Sequence, residues 1–380
     1  MSEPMKLIPG LADVPVAESA ISFIDGRRAR LEYRGIAVDV LARESSFEET
    51  SWLLLKGSLP TQRELANFDK ELRSHRRVKY KILDMLKCLP ESGHPMDALQ
   101  ASVAALGMFH ANRDVSNDQA NWLACVQLIA KMPTLTAAFH RIRHGDAPLE
   151  PRNDLSHAGN LYWMLTETEP SPAVTKVLDA CLILHAEHSM NASTFSARVT
   201  GSTLADPFTV ISSAIGTLTG PLHGGANEEV LDMLDEIGTL ENVRPWITEA
   251  VNTKKKIMGL GHRVYKVKDP RATVLQELAE NVFAESGKPL KYAMAVEAEK
   301  VAAELLGAKG IYPNVDFYSG IVYQALGIPR DLFTPIFAIA RVSGWLAHWL
   351  EQIKNNRIFR PEQVYVGVND VSYVPLEQRP

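Results

Sequence analysis

Four stretches of the chain combine residue types that do chemistry with the small residues that let a ligand approach. Residues 185–195 read His-Ala-Glu-His-Ser-Met-Asn-Ala-Ser-Thr-Phe and close a helical pattern. His185 and His188 are three apart, not four, so the spacing that puts two imidazoles on one helix face for a metal is missing, and with no third ligand a helix C-terminus with dipole-favoured histidines is the simpler reading. Residues 220–228 read Gly-Pro-Leu-His-Gly-Gly-Ala-Asn-Glu. Glycines flanking His223 allow close backbone approach, and a position just before a helix start disfavours the imidazolium, leaving a neutral ring that can donate a hydrogen bond. A surface turn histidine is the alternative.

Residues 258–271 read Met-Gly-Leu-Gly-His-Arg-Val-Tyr-Lys-Val-Lys-Asp-Pro-Arg, with Lys254, Lys255 and Lys256 just upstream. From Lys254 to Arg271 the net charge is +6 in a chain whose total is −5. Such a local excess suits capture of phosphates or carboxylates, or it is a solvated helix face. In Pro313-Asn314-Val315-Asp316-Phe317-Tyr318 a lone carboxyl lies among apolar neighbours. Burial would raise its pKa and make it a better base; it is equally suited to cap the following helix. Arg341, within Ala-Ile-Ala-Arg-Val-Ser-Gly-Trp, is a cation in an apolar helical pattern and needs an anionic partner, from the protein or from a substrate. Arg360 precedes Pro361 near the end of the chain.

The elements that must position these groups are helices. Apolar residues recur at three and four positions in His94–Leu106, Trp122–Lys131, Leu135–Arg143 and Val174–Ser189. Ser46 with Glu49, and Thr61 with Glu64, have capping-box spacing, and the basic run through Lys81 carries the second helix onward. Only the start differs: short extended runs flank Asp25-Gly26, a hairpin signal. The expected class is therefore all-α, mainly helical, with a short N-terminal β-hairpin. A composition change near Gly224, and an apolar pattern resuming near Phe317, suggest a smaller helical lobe at 224–321 inserted into a large helical domain formed by 1–223 and 322–380.

Composition narrows the function classes. The 380 residues are 46% hydrophobic and 22% charged, ample for a sizeable core, and a pI near 6.1 argues against general nucleic-acid or membrane-surface binding. No apolar run of membrane-spanning length and no signal peptide stand out. Cys88, Cys125 and Cys181 are far apart and odd in number, so each is expected to pack as a small apolar residue in a reducing cytoplasm.

Taken together, Gly-Pro-Leu-His223-Gly-Gly-Ala-Asn-Glu, Gly-Leu-Gly-His262-Arg-Val-Tyr-Lys, Asp-Pro-Arg271, Pro-Asn-Val-Asp316-Phe-Tyr-Ser-Gly, Arg360-Pro-x-x-x-Tyr365-x-Gly367 and Glu-His188-Ser-Met-Asn-Ala-Ser-Thr resemble the citrate synthase family, in the family's order and over nearly the whole chain. The length resembles the shorter bacterial and archaeal form. The resemblance implies a homodimer that condenses acetyl-CoA with oxaloacetate and hydrolyses citryl-CoA to citrate and CoA, the entry step of the tricarboxylic acid cycle, with no metal or other cofactor. It implies His223, His262 and Asp316 as catalytic, with His188, His223, His262, Arg271, Arg341 and Arg360 meeting oxaloacetate, Arg360 reaching in from the partner subunit. It implies CoA contacts at Lys256, Met258, Gly259, Leu260, Gly261, Arg263 and Lys266. The neighbouring reading is 2-methylcitrate synthase. Those enzymes often carry Pro-Lys-His-Gly, Gly-His-Pro-Val-Tyr and Pro-Asn-Leu-Asp-Trp, where this chain has Pro-Leu-His-Gly, Gly-His-Arg-Val-Tyr and Pro-Asn-Val-Asp-Phe, which favours citrate. A silent acyl-CoA-binding scaffold would lack the base or the donor, and both are present.

Overall fold

A computed structural model describes residues 7–11, 13–261, 265 and 267–380. The chain opens with an antiparallel sheet of β1 (Ser22–Asp25), β2 (Arg30–Tyr33) and β3 (Ile36–Ala37), in the order β1-β2-β3, with Ser22 opposite Tyr33 and Glu32 opposite Ala37. The turn signalled by Asp25-Gly26 is a longer connection through residues 26–29, held by Asp25 Oδ1, which accepts the N–H groups of Arg27 (3.0 Å) and Arg28 (3.1 Å). The third strand, two residues long, is too short to show alternation in sequence.

Helices make up most of the remainder. They are α1 (Val38–Glu44), α2 (Phe47–Lys56), α3 (Gln62–His75), α4 (Tyr80–Lys87), α5 (Pro95–Gly107), α6 (Asp118–Ile142), α7 (His157–Thr166), α8 (Pro172–His185), α9 (Ala192–Ser202), α10 (Pro207–Leu218), α11 (Ala226–Ile237), α12 (Val243–Thr253), α13 (Pro270–Ser286), α14 (Leu290–Leu306), α15 (Asp316–Ala325) and α16 (Phe333–Lys354). The mainly helical class follows the sequence; several boundaries do not. Thr61 and Glu64 form a full capping box, but Glu49 turns its carboxylate to Ser45 Oγ (2.7 Å), so Ser46 caps α2 one way only. The basic run does not continue α3: Arg76 is buried and donates to the carbonyls of Arg152 and Leu155, which breaks the helix before α4. The two helices expected either side of Pro133 are one, α6. Pro133 deletes a single intrahelical bond, and the burial of both flanking turns holds the axis together. By length and composition α6 could cross a membrane, contrary to the expectation that no run approached that length, yet most of it is buried inside the fold. Cys125 and Cys181 are buried as expected, whereas Cys88, at the C-cap of α4, is exposed.

The core is organised on α16, buried along almost its whole length, with Trp345 and Trp349 fully enclosed. Helices α2, α6, α8, α9 and α10 pack around it. Gly201 of α9 is there because a Cβ would lie 2.9 Å from the Trp349 ring. Farther along the chain α11, α12, α14 and α15 pack on one another, and α13 leans on α1 and α8.

Candidate active site

Loop junctions at helix ends carry most of the candidate residues, and Arg341 lies inside α16. His223 lies in the turn between α10 and α11, half-buried. The Ser193 main-chain N–H points at its Nε2 (3.2 Å), and the Ser193 hydroxyl lies 2.8 Å away. An N–H can only donate, so Nε2 is the acceptor and the ring proton is on Nδ1. Ser193 is fixed in turn by the Trp345 indole N–H (3.1 Å) and by Asn191, which caps α9. Burial, and then the nearby Arg341 guanidinium, hold the His223 pKa down to about 4. The neutral ring anticipated from the helix start thus has a different principal cause. Of the two adjacent glycines only Gly224 is sterically required: a Cβ there would lie 2.2 Å from the Leu218 carbonyl oxygen, whereas one on Gly225 would meet nothing within 4 Å.

Asp316 is the first residue of α15. It does not cap the helix, as Val315 holds that position; its own N–H donates to Asn314 Oδ1 (3.0 Å). The carboxyl pKa is pushed up to about 6 by burial, drawn back by Arg271 and Arg341 and raised by Asp269. The segment before it is a junction of three loops. Gly261 N–H donates to the Tyr312 carbonyl (2.8 Å), Asn314 N–H to the Gly259 carbonyl (2.9 Å), Asn314 Nδ2 to the Gly261 carbonyl (3.0 Å) and Asp269 N–H to the Pro313 carbonyl (3.2 Å). Both glycines have positive φ (71° and 84°), and a Cβ on Gly259 would lie 2.7 Å from Val230 and 2.8 Å from Phe317. The loop that leads to residue 262 is therefore bound to the segment that presents Asp316.

Arg271 and Arg341 are both almost fully buried. Arg271 is paired with Asp269 through Nε (3.1 Å) and Nη2 (2.7 Å). Arg341 differs. Its Nε donates to the His185 carbonyl (2.6 Å), its guanidinium faces the Phe337 ring (4.6 Å), and among the described residues no carboxylate comes within 4 Å of it. Burial pulls its pKa down to about 10, opposed by Glu187, Tyr33 and Asp316 and aided by Arg271. His223 and Asp316 both feel this same guanidinium, which brings four of the expected residues into one electrostatic neighbourhood. His188 is half-buried, edge-on to Tyr265 with ring centroids 5.9 Å apart. His185 points away from metal chemistry: its Nδ1 is 2.7 Å from the Cys181 carbonyl, and burial pushes its pKa down to about 3. Among the described residues no group of three or more His, Cys, Asp or Glu is placed to hold a metal.

Other expected residues stand apart. Arg360 is exposed on the extended tail after α16, lining a groove of about 1060 Å³ with Phe195, Arg198, Glu351 and Phe359, and does not join the Arg271–Arg341 cluster of its own chain. Of the expected CoA contacts, Lys256 is exposed, Met258 and Leu260 are half-buried, and Gly259 is buried. His262, Arg263 and Lys266 lie outside the described residues. The basic run is less free than its charge suggested: Lys255 pairs with Glu236 (2.7 Å) over Trp246, and Lys268 with Glu299 (2.5 Å). Residues that sequence reasoning missed are the holders, Ser193, Trp345 and Asp269. Asn191 and Asp269 carried the available signal, as cap-type residues ahead of α9 and α13.

Comparison with known proteins gives the family. The family model described as citrate synthase, C-terminal domain, matches residues 10–362. A citrate synthase of Synechocystis sp. is 60% identical, over 97% of this chain and 93% of that protein. The crystal structure of citrate synthase from Pyrobaculum aerophilum superposes with a TM-score of 0.92 at 40% identity, covering 98% of this chain and 95% of that one. A ternary complex of the Thermoplasma acidophilum citrate synthase with carboxymethyl coenzyme A and oxaloacetate gives 0.90 at 32% identity, covering 97% and 98%. The chain belongs to the citrate synthase family and is an acyl-transferring enzyme of that kind.

Proposed function

We propose that the cluster of Arg341, Arg271, His223 and Asp316 condenses acetyl-CoA with oxaloacetate. The observation that carries the residue assignment is Arg341: a buried guanidinium with no carboxylate within 4 Å among the described residues, beside a second buried arginine. Arg271 already has Asp269 as its partner, but a buried cation without one, as Arg341 is, is costly, and oxaloacetate brings two carboxylates that can join both. Arg271, Arg341 and His188 bind them, with Arg360 of the partner subunit; the exposed apolar tail that carries Arg360, with Tyr365, Val366 and Tyr373 uncovered, supports a homodimer in which tails are shared.

Asp316, as the carboxylate, takes a proton from the acetyl methyl group. Its raised pKa makes it a better match for a weak carbon acid than an ordinary aspartate. The negative charge moves to the thioester oxygen, where the His223 Nδ1–H donates a hydrogen bond. The new carbanion carbon attacks the ketone carbon of oxaloacetate, and the ketone oxygen becomes the hydroxyl of citryl-CoA with a proton from His262. Water then cleaves the thioester to citrate and the CoA thiol. Backbone of Met258–Gly261, with Lys256, Arg263 and Lys266, meets CoA. The lobe of α11–α15 closes over the substrates; its second edge is better drawn at Gly327 (φ 76°), after α15, than at 321, which falls inside that helix. The chemistry calls for no cofactor, and three free thiols suit a cytoplasmic setting.

Thiol release from acetyl-CoA and from propionyl-CoA, each with oxaloacetate, tests this. The expected result is release with both and a higher kcat/KM for acetyl-CoA, since one methylene is worth only ~1–3 kcal/mol. Binding of CoA without thiol release would overturn the condensation, and a preference for propionyl-CoA would reassign the substrate.

A further inference from the structure

The turn that carries His188 is clamped on both sides by the N-terminal sheet. On one side the Glu187 N–H donates to the Tyr33 hydroxyl (3.2 Å), and that hydroxyl donates to the Glu187 carbonyl (2.8 Å). On the other the Ser189 N–H donates to Ser22 Oγ (3.2 Å). Ser22 Oγ in turn donates to Glu187 Oε1 (2.9 Å), which closes the loop of contacts beneath His188. Ser189 adopts a positive φ (50°), a conformation a serine holds only when its surroundings enforce it.

Glu187 is fully buried, and a second donor fixes it. His348 of α16 accepts at Nδ1 from Arg198 Nη1 (3.1 Å), which leaves its Nε2–H to donate to Glu187 Oε1 (3.0 Å). Arg198 is anchored to Glu351 (2.8 Å) and Gln352 (3.1 Å). The other carboxylate oxygen, Oε2, is buried without a hydrogen-bond partner among the described residues, against Gly344, where a Cβ would come within 2.4 Å of it. A buried anion with one oxygen unbonded is expensive to keep, and no step of the condensation uses it. What it does is tie β1, the turn and α16, the helix that bears Arg341.

We propose that Ser22 and Glu187 are positioning residues for oxaloacetate, holding the His188 turn in register with Arg341. The inference rests on the reading of His188 and Arg341 as oxaloacetate ligands. It makes the small sheet, remote in sequence from every catalytic group, part of the binding machinery.

The test compares Ser22→Ala, Ser22→Thr, Glu187→Gln and His188→Ala, with Ser102→Ala as a buried-hydroxyl control whose hydroxyl bonds within its own helix, α5. Steady-state thiol release gives kcat and the two KM values for each. Ser22→Ala and Glu187→Gln are expected to raise the oxaloacetate KM about five- to tenfold, the worth of one or two hydrogen bonds, with the acetyl-CoA KM within about twofold of the parent. Ser22→Thr, which keeps the hydroxyl, should restore most of the loss, and Ser102→Ala should leave both KM values in place. Equal rises in both KM values, or a rise in Ser102→Ala as large as in Ser22→Ala, would reduce Ser22 to a merely structural role and overturn the proposal. If His188→Ala weakens oxaloacetate while Ser22→Ala and Glu187→Gln do not, the positioning claim fails and the site assignment stands. If His188→Ala leaves the oxaloacetate KM unchanged, the assignment beneath the claim fails, and the claim with it. Should Glu187→Gln not fold, Ser22→Ala, a half-buried strand residue, decides alone.

Discussion

His223 and Asp316 both lie near the Arg341 guanidinium, but the chain holds them there by different means. His223 is fixed by side chains: Ser193 and Trp345 come from α9 and α16, the best-packed helices of the core, and they select the ring tautomer as well as its position. Asp316 is fixed by main chain. Residues 259–261, 269 and 312–314 bond to one another through amides and carbonyls, with the Asn314 side chain joining in. The first arrangement sets chemistry, because it decides where a proton resides. The second sets register, because Asp316, Arg271 and the segment entering residue 262 are joined and must shift together. An enzyme that closes a lobe over two substrates gains from having one half anchored to a rigid core and the other moving as a unit.

Arg341→Ala removes the buried guanidinium felt by both halves and should raise the oxaloacetate KM about a hundredfold, since losing a buried charged partner costs about 2–5 kcal/mol; an unchanged KM, read from initial rates, would remove Arg341 from the site. In the pH profile of kcat/KM the acid limb should belong to Asp316. The pKa raised to about 6 is that of the free enzyme, so it is kcat/KM that should fall about tenfold per unit below that value, while His223, held down to about 4, stays neutral across the range. A limb centred near 4 instead would assign the essential ionisation to the histidine side. Gly224→Ala should lower kcat about tenfold by pushing the His223 turn off the Leu218 carbonyl, whereas Gly225→Ala should be silent. Equal effects would mean that ligand approach, and not the Leu218 contact, explains both glycines. Lys256→Ala should raise the acetyl-CoA KM about threefold with the oxaloacetate KM unchanged; no change would leave the phosphates to other residues.

Acid stability can be read from two further buried histidines, His157 at the start of α7 and His185 at the end of α8. His157 and His185 have pKa values pulled down to about 3 by burial. Folded-state values below the unfolded one mean that their contribution is intact above about pH 6.5 and is lost as pH falls towards 3. An acid-side fall of the thermal midpoint that was as steep in His157→Gln and His185→Gln as in the parent would contradict these environments.

The parts of the fold and site that the sequence disclosed are those written in local residue patterns. Thr61 with Glu64 signals a helix start because both halves of the cap are within one turn, and the motif around Asp316 fits because a single junction needs each of its residues. What stayed hidden depends on partners distant in sequence. Nothing in Lys255 or Lys268 announces Glu236 or Glu299, which neutralise them from other helices. Arg76 looks like one more basic surface residue until two carbonyls from residues 152 and 155 draw it inward. Pro133 reads as a break because the burial that overrides it lies outside α6. Glu187 and His348 are separated by 161 residues, and no spacing rule connects them.

The most direct test of the central claim is Asp316→Asn, measured by thiol release and by oxaloacetate binding in calorimetry. The expected result is a fall in kcat of about 10²–10⁴-fold with oxaloacetate affinity within a few-fold of the parent, because the base is lost and both guanidinium groups are kept. Turnover at the parental rate would contradict it.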